Sequence, residues 1–159
     1  MYDARKYSGG AFAELKLNQS TIEKSMHNKG FAPEVSLELS KAEWTSMKFN
    51  TQGNKFLVTA KKGVGLLLDG FDGNVTEVFV GESLSGDHAP SAPLAACFTA
   101  DDRNILGGCE DGTVCCWDAN NGRLLHRLEG HVDRVSAVAC NPKLAMVASA
   151  CTNTALWIW

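Results

Sequence analysis

No run of apolar residues in this chain approaches the roughly 18 that a membrane helix needs, so no spanning helix is expected. The first ten residues, Met1 to Gly10, lack the apolar stretch of a signal peptide, and the expected compartment is therefore cytosol or nucleus. There is no excess of positive charge: 15 Lys and Arg stand against 18 Asp and Glu, for a net charge of -3. Bulk attraction to nucleic acid is not expected on that balance. Six cysteines are present, but no two form a C-x-x-C pair, so zinc-ribbon and thioredoxin-type spacings are missing. Cys97, Cys109, Cys115, Cys116, Cys140 and Cys151 mostly lie in apolar runs, where a thiol acts as a small buried hydrophobe. No stretch sustains a 3.6-residue apolar period, so helix content should be low. What remains is 159 residues, 45% hydrophobic and 21% charged, a globular composition long enough for one domain.

Catalytic patterns are missing as well. Gly81 to Gly86 has the outline of a nucleophile elbow, but Ser85 occupies the second glycine position. Gly63-Val64-Gly65 has no following helix to make a dinucleotide loop, and Lys61-Lys62-Gly63 lacks phosphate-loop spacing. The sequons at Asn18 and Asn74 mean little without a secretory route. No catalytic residue, cofactor or metal ligand is therefore expected.

What the chain does contain is self-similarity. Residues 49–75 fall on residues 98–124 without a gap, at an offset of 49. Phe56-Leu57 meets Ile105-Leu106, Lys62-Gly63 meets Asp111-Gly112, and the turn Asp72-Gly73 meets Asn121-Gly122. A third, slightly shortened copy starts near Val135. Within the second copy, Leu94 to Phe98, Asn104 to Cys109, Thr113 to Trp117 and Leu124 to Leu128 read as four strands. Asp111-Gly112 suits a type I′ hairpin with positive φ at both residues, and Asn121-Gly122 a second hairpin. Four hairpin-linked strands make one antiparallel sheet, the unit of a propeller blade. Val114, Cys115, Cys116 and Trp117 are apolar in succession rather than alternately, as in a sheet covered on both faces.

Trp117-Asp118 and Gly130-His131 are the signature dipeptides of the WD-repeat family, which the chain resembles throughout. Tyr2-Asp3 and Leu68-Asp69 look like worn forms of the first dipeptide, and Gly86-Asp87-His88 of the second. The resemblance implies a hydrogen-bond chain in each blade linking Trp, Ser or Thr, His and Asp. Such groups are not buried unpaired without a penalty of about 1–3 kcal/mol each. Carried over, the last repeat supplies His131, Ser149 and Trp157, with Asn153 where Asp is usual. The second supplies His88, Asp111 and Trp117, with Gly107 in place of the hydroxyl residue. The first has Val58 and Leu68 at the hydroxyl and Trp positions, and so no chain at all.

Tyr2-Asp3-Ala4-Arg5, Glu43-Trp44-Thr45, residues 108–112, and above all Asn141-Pro142-Lys143 followed by residues 148–157 sharpen the resemblance. They are similar to the C-terminal half of the WD-repeat subunits of COMPASS-type histone lysine methyltransferase complexes. Roughly Leu17 to Val35 departs as an insertion. The implied fold is all-β, a partial ring of about three four-stranded antiparallel blades forming one domain over 1–159. Residues 1–43 hold the end of a blade plus a long connecting insertion; 44–81 and 94–129 are blades; 130–159 is a final partial blade. Exposed end faces of such an arc should make the isolated chain poorly soluble or prone to associate.

The implied function is that of a nuclear, non-catalytic adaptor whose partners are protein subunits of a chromatin-modifying complex. A phosphorylated polymerase tail peptide is a further expected partner, while direct nucleic-acid and membrane contacts are not. The competing reading is a generic WD-repeat platform, in RNA 3′-end processing, phosphatase, ubiquitin ligase or signalling assemblies. Long loops on a rigid scaffold carry recognition. Residues 16–42, 82–93 and the hairpin at Lys61 and Lys62 therefore form the candidate docking face. There the two lysines would meet acidic or phosphorylated peptide.

Overall fold

The computed structural model describes residues 2–11, 14, 17–31, 33–41, 43–81 and 93–158. Three antiparallel sheets follow one another along these residues, each strand pairing with the next in sequence. The first holds β1 (Trp44–Phe49), β2 (Lys55–Ala60), β3 (Val64–Asp69) and β4 (Val75–Val80). The second holds β5 (Ala95–Phe98), β6 (Asn104–Gly108), β7 (Thr113–Asp118) and β8 (Leu124–Glu129). The third holds β9 (Ala137–Cys140), β10 (Met146–Ala150) and β11 (Thr154–Ile158).

The offset of 49 seen in the sequence is also the offset of the backbone. β3 and β7, and likewise β4 and β8, start and end 49 residues apart. Even the irregularities repeat: the register shift between Leu67 and Leu68 recurs between Cys116 and Trp117. Such bulges bend a strand locally and are designed features rather than defects. The turns after β3 and β7 share one construction. Asp69 Oδ1 accepts the Phe71 N–H at 2.8 Å, and Asp118 Oδ1 accepts the Asn120 N–H at 2.7 Å. Gly73 and Gly122 then take φ of 71° and 67°, left-handed values that favour glycine. Asp3 makes the same bracket with the Arg5 N–H at 2.9 Å, and Tyr2 bridges Ala11 beyond it. Here, however, Asp3 caps a 3-10 helix over Ala4–Gly9, and Tyr2 belongs to none of the three sheets.

One turn differs from expectation. Asp111-Gly112 is not a type I′ pair, because Gly112 has φ of 85° while Asp111 does not have a positive φ. The loop is three residues long, closed by Cys109 N to Thr113 O at 2.9 Å. Within it the Asp111 carboxylate accepts both the Thr113 N–H and its hydroxyl, at 2.9 and 2.6 Å. A side chain that brackets its own turn removes the need for a second left-handed residue.

The stretch 16–42, expected as a polar connection, folds as α1 (Gln19–Asn28) and α2 (Pro33–Ser40). Low helix content still holds, but these two helices escaped the periodicity test. α1 buries a single pair at i and i+4, Ile22 and Met26, too little to register as a period. The signal that could have found them is at their ends. Gly30, φ 89°, stops α1 with Gly30 N bonded to His27 O and Phe31 N to Met26 O, the glycine-ended helix cap. Pro33 opens α2, where its missing N–H costs nothing.

Sheets pack face to face. Leu57, Leu67 and Phe79 of the first sheet meet Ala96, Phe98, Ile105, Cys115 and Trp117 of the second. Their repeat equivalents Leu106, Cys116 and Leu128 meet Val135, Val138 and Val147 of the third. The second sheet thus has one face toward the first and the other toward the third. A polar latch ties the first two sheets at one edge. Asp102 Oδ1 accepts the Thr51 N–H at 2.8 Å; Oδ2 accepts the Gln52 N–H at 3.1 Å and the Asn50 amide at 3.2 Å. Asp102→Ala should lower stability by about 0.5–1.5 kcal/mol, the net worth of the bonds lost, since the exposed Thr51 and Gln52 N–H groups can turn to water. Urea unfolding checks it: the midpoint should fall while the slope against denaturant stays constant.

Candidate functional site

In the third sheet the four polar side chains converge. Trp157, on β11, donates its indole N–H to Ser149 Oγ on β10 at 2.7 Å. His131, on the segment entering the sheet, sets Nε2 2.6 Å from the same oxygen and Nδ1 3.0 Å from Asn153 Oδ1. Hydrogen-bond chemistry orders the chain. The indole can only donate and the amide oxygen can only accept. The one serine proton therefore goes to Nε2, and His131 carries its proton on Nδ1 toward Asn153. His131 is 8% exposed and Ser149 2%, so this chain of hydrogen bonds lies buried between the strands it connects.

The second sheet is built differently. Gly107 stands where Ser149 stands in the third, and a Cβ there would meet Trp117 Cζ3 at 2.7 Å. The benzo edge of the Trp117 indole, buried to 3% exposure, therefore occupies the space that a side chain at Gly107 would need, and works by packing. Asp111 holds Thr113 and is paired with Arg127, whose role the sequence reading missed. Arg127 is the cross-strand partner of Cys115, reaching back over the turn. His88 lies outside the described residues. In the first sheet Val58 and Leu68 are buried in apolar surroundings.

Two features escaped the sequence reading. Cys109 and Cys115 lie 3.4 Å apart at the first interface, and Cys109 Sγ donates to the Gly81 carbonyl at 3.2 Å. Burial pushes other thiols up, Cys97 to about 11. Cys151 goes the other way. The Asn153 N–H bonded to its sulfur, with smaller help from Thr152 and His131, lowers its thiol to about 7. Its Sγ lies 3.2 Å from His131 Nδ1.

On the loop face, Lys61 is not a free cation. Its ammonium lies 2.6 Å from Glu43 Oε2, both side chains being well exposed. Lys62 takes φ of 66°, followed by Gly63 at the same value, in a left-handed turn, and is half-buried. The connection 82–92 lies outside the described residues. Of the helical part, α1 is tied to β4 by Lys29 Nζ and Glu77 Oε2 at 2.6 Å. Among the described residues no cluster of His, Cys, Asp and Glu is arranged to hold a metal, and no helix is long and apolar enough to cross a membrane.

With that geometry in place, comparison with known proteins is direct. Residues 82–118 and 122–159 match the family model described as WD domain, G-beta repeat. WD repeat-containing protein 82 of Drosophila melanogaster is 32% identical over 159 residues, 99% of this chain and 43% of its own length. The U5 small nuclear ribonucleoprotein 40 kDa protein of Pongo abelii is 31% identical over 65 residues, 41% of this chain and 18% of its own. Among solved structures, U3-55K superposes with a TM-score of 0.64 at 17% identity, covering 74% of this chain and 36% of that one. That last likeness shows the fold alone. The chain spans less than half the length of the relatives it matches.

Two predictions follow from these contacts. His131→Ala strips the buried Ser149 hydroxyl of its acceptor and Asn153 Oδ1 of a donor, while the Trp157 indole keeps Ser149 Oγ, and should cost about 1–3 kcal/mol. Trp117→Ala removes a buried aromatic and should cost on the order of 3–5 kcal/mol. Thermal and denaturant melts measure both. Separately, Cys151 should be the first cysteine alkylated by iodoacetamide, with a rate that rises as pH passes about 7. Peptide mass mapping across pH 6–8 reads this. Equal labelling of Cys97 would contradict it.

Proposed function

We propose, for a chain that carries WD repeats in a propeller fold, that it acts as a non-catalytic adaptor in a nuclear histone lysine methyltransferase complex of COMPASS type, linking it to transcribing RNA polymerase. WD propellers are in general interaction scaffolds, and their polar side chains hold strands together. The observation that carries the finer reading is likeness along the whole chain. Similarity to a WD-repeat relative covers 99% of it. The distinctive Asn141-Pro142-Lys143 and 148–157 blocks lie in β10, β11 and the turn before them. Methyl transfer would belong to a partner subunit.

A second reading is favoured by one finding, the similarity to a U5 small nuclear ribonucleoprotein component. On that reading the chain is a scaffold in a ribonucleoprotein or another nuclear assembly. Both readings place the protein in the nucleus, and both assign it protein partners rather than nucleic acid or membrane. Affinity purification from nuclear extract separates them: methyltransferase and polymerase subunits support the first, small nuclear ribonucleoprotein subunits the second.

The docking face of the first reading includes Lys61 and Lys62. An exposed ion pair such as Lys61–Glu43 is worth little in water. A phosphate with nearly two charges outcompetes Glu43 for the ammonium through charge-assisted hydrogen bonds. Lys61→Glu with Lys62→Glu should weaken binding of a phosphorylated tail peptide by about tenfold at low salt, where exposed charges act most strongly. Titration by fluorescence anisotropy measures this, and unchanged affinity removes these two residues from the site.

A further inference from the structure

Cys109 and Cys115 flank the three-residue turn between β6 and β7, in the apolar layer that also holds Leu57, Leu67, Phe79 and Leu94. Cys109 is 3% exposed and Cys115 1%. The single Cys109 proton has two acceptors, Cys115 Sγ at 3.4 Å and the Gly81 carbonyl at 3.2 Å. Cys115 Sγ stands 3.7 Å from the same carbonyl. Gly81 follows β4 directly, and a Cβ there would meet Cys109 Sγ at 2.9 Å. Two thiols thus tie the end of the first sheet to the second.

A polar path leads from this pair to the surface. Cys115 Sγ is 3.9 Å from Thr113 Oγ1, and Thr113 donates its hydroxyl to Asp111 Oδ1 at 2.6 Å. Arg127 donates to Thr113 at 3.1 Å and to Asp111, and both Asp111 and Arg127 reach solvent. A proton leaving Cys115 therefore has oxygen acceptors in line toward water. The sulfur left behind keeps the Cys109 donor beside it and the Arg127 charge nearby. The bond from Cys109 is the largest influence on the Cys115 thiol and lowers it; burial opposes this, and Arg127 adds to the lowering. Cys109 is raised by that same bond and by burial. Cys116 is next in sequence but packs with the third sheet, and burial raises it. One sulfur of the pair is prepared to attack and the other to resolve.

We propose that Cys109 and Cys115 form a redox site that hydrogen peroxide oxidises to a disulfide across the β6–β7 turn, releasing the Gly81 carbonyl. The Cys115 thiolate attacks one peroxide oxygen and the O–O bond breaks. The other oxygen leaves as hydroxide and takes up the proton lost by Cys115, giving water. The Cys109 sulfur then attacks the Cys115 sulfenic acid: the S–S bond forms, the S–O bond breaks, and the Cys109 proton leaves with that oxygen as a second water. Each sulfur gives up one electron, and the peroxide takes both. Peroxide is close to water in size, so a brief opening of the short turn admits it, whereas glutathione disulfide has no room at sulfurs this buried. The sulfurs need only close from 3.4 Å to about 2.05 Å. The product carries no S–H, so Gly81 loses its sulfur donor. Thiol reductants reverse the bond, which makes the pair a switch rather than a fixed staple.

Peptide mapping of the native full chain after stoichiometric hydrogen peroxide tests this, with denaturation in iodoacetamide before digestion. Trypsin and a Glu-specific protease cut after Arg103, Glu110 and Arg123, which puts Cys109 and Cys115 on separate peptides. The two peptides should be recovered linked, with Cys116 alkylated, and dithiothreitol should part them. Arg127→Gln should slow the linkage several-fold at neutral pH and move its pH profile upward, because the charge that favours the thiolate is gone. Amide exchange at Gly81, whose N–H bonds to Gly63 O, should become several-fold faster after oxidation. No linkage, or Cys115 joined to Cys116 instead, overturns the site. Glutathione disulfide linking the pair as fast as peroxide overturns the choice of oxidant. A rate indifferent to Arg127 overturns its part in preparing Cys115, and unchanged exchange at Gly81 overturns the release.

Discussion

Everything in this structure depends on the burial of sheet faces against one another. β3 and β7 are buried at five successive residues, so neither face of these strands can be left to water. A single four-stranded sheet of this composition has no stable form alone, because half of its apolar surface would be exposed. The second sheet, covered by the first and the third, holds Ile105, Leu106 and Val114 at zero exposure. The outer sheets borrow stability from it. Polar contacts refine this packing. Asp102 bonds one sheet to the edge of its neighbour, and the His131–Ser149–Trp157 chain bonds across the strands of one.

That hierarchy explains why the polar pattern of a WD repeat can erode from sheet to sheet without loss of the fold. The first sheet has no hydrogen-bond chain, the second has replaced it with Trp117 packed on Gly107, and the third keeps it with an amide at the acidic position. A chain of hydrogen bonds is worth little net while its members stay paired, and costs most when one partner is removed. Replacing a whole set by well-packed apolar groups is close to neutral, which is what the first sheet has done. Function then rests on the loops and faces that this frame leaves open.

The fold was legible because period and turn chemistry agree in the first two copies: the offset of 49 predicted their strands, and the turns at Asp72-Gly73 and Asn121-Gly122 the ends of β3 and β7. Three things were not legible. α1 and α2 have one buried pair and a glycine stop, a signal below the noise of a periodicity test. The turn at Asp111 depends on a side chain bonding to its own loop, which dipeptide preference does not encode. The thiol of Cys151 depends first on the Asn153 N–H two residues on, and to a smaller degree on His131, which reaches it only once the segment before β9 has closed over the sheet. Repeated apolar runs and turn glycines can be read from sequence; a side chain that bonds within its own turn, or that is brought in from another segment, cannot.

The most direct test of the packing hierarchy is residue-resolved amide hydrogen exchange of the native chain. Leu57 to Ala60 in β2, Leu66 to Leu68 in β3, and the β6 and β7 amides should exchange slowest, at a rate set by global unfolding. β1, exposed along its whole length, and β11 should exchange orders of magnitude faster. Equal protection of β1 and β6, or the greatest protection in α1, would contradict an arc stabilised by faces buried between neighbouring sheets.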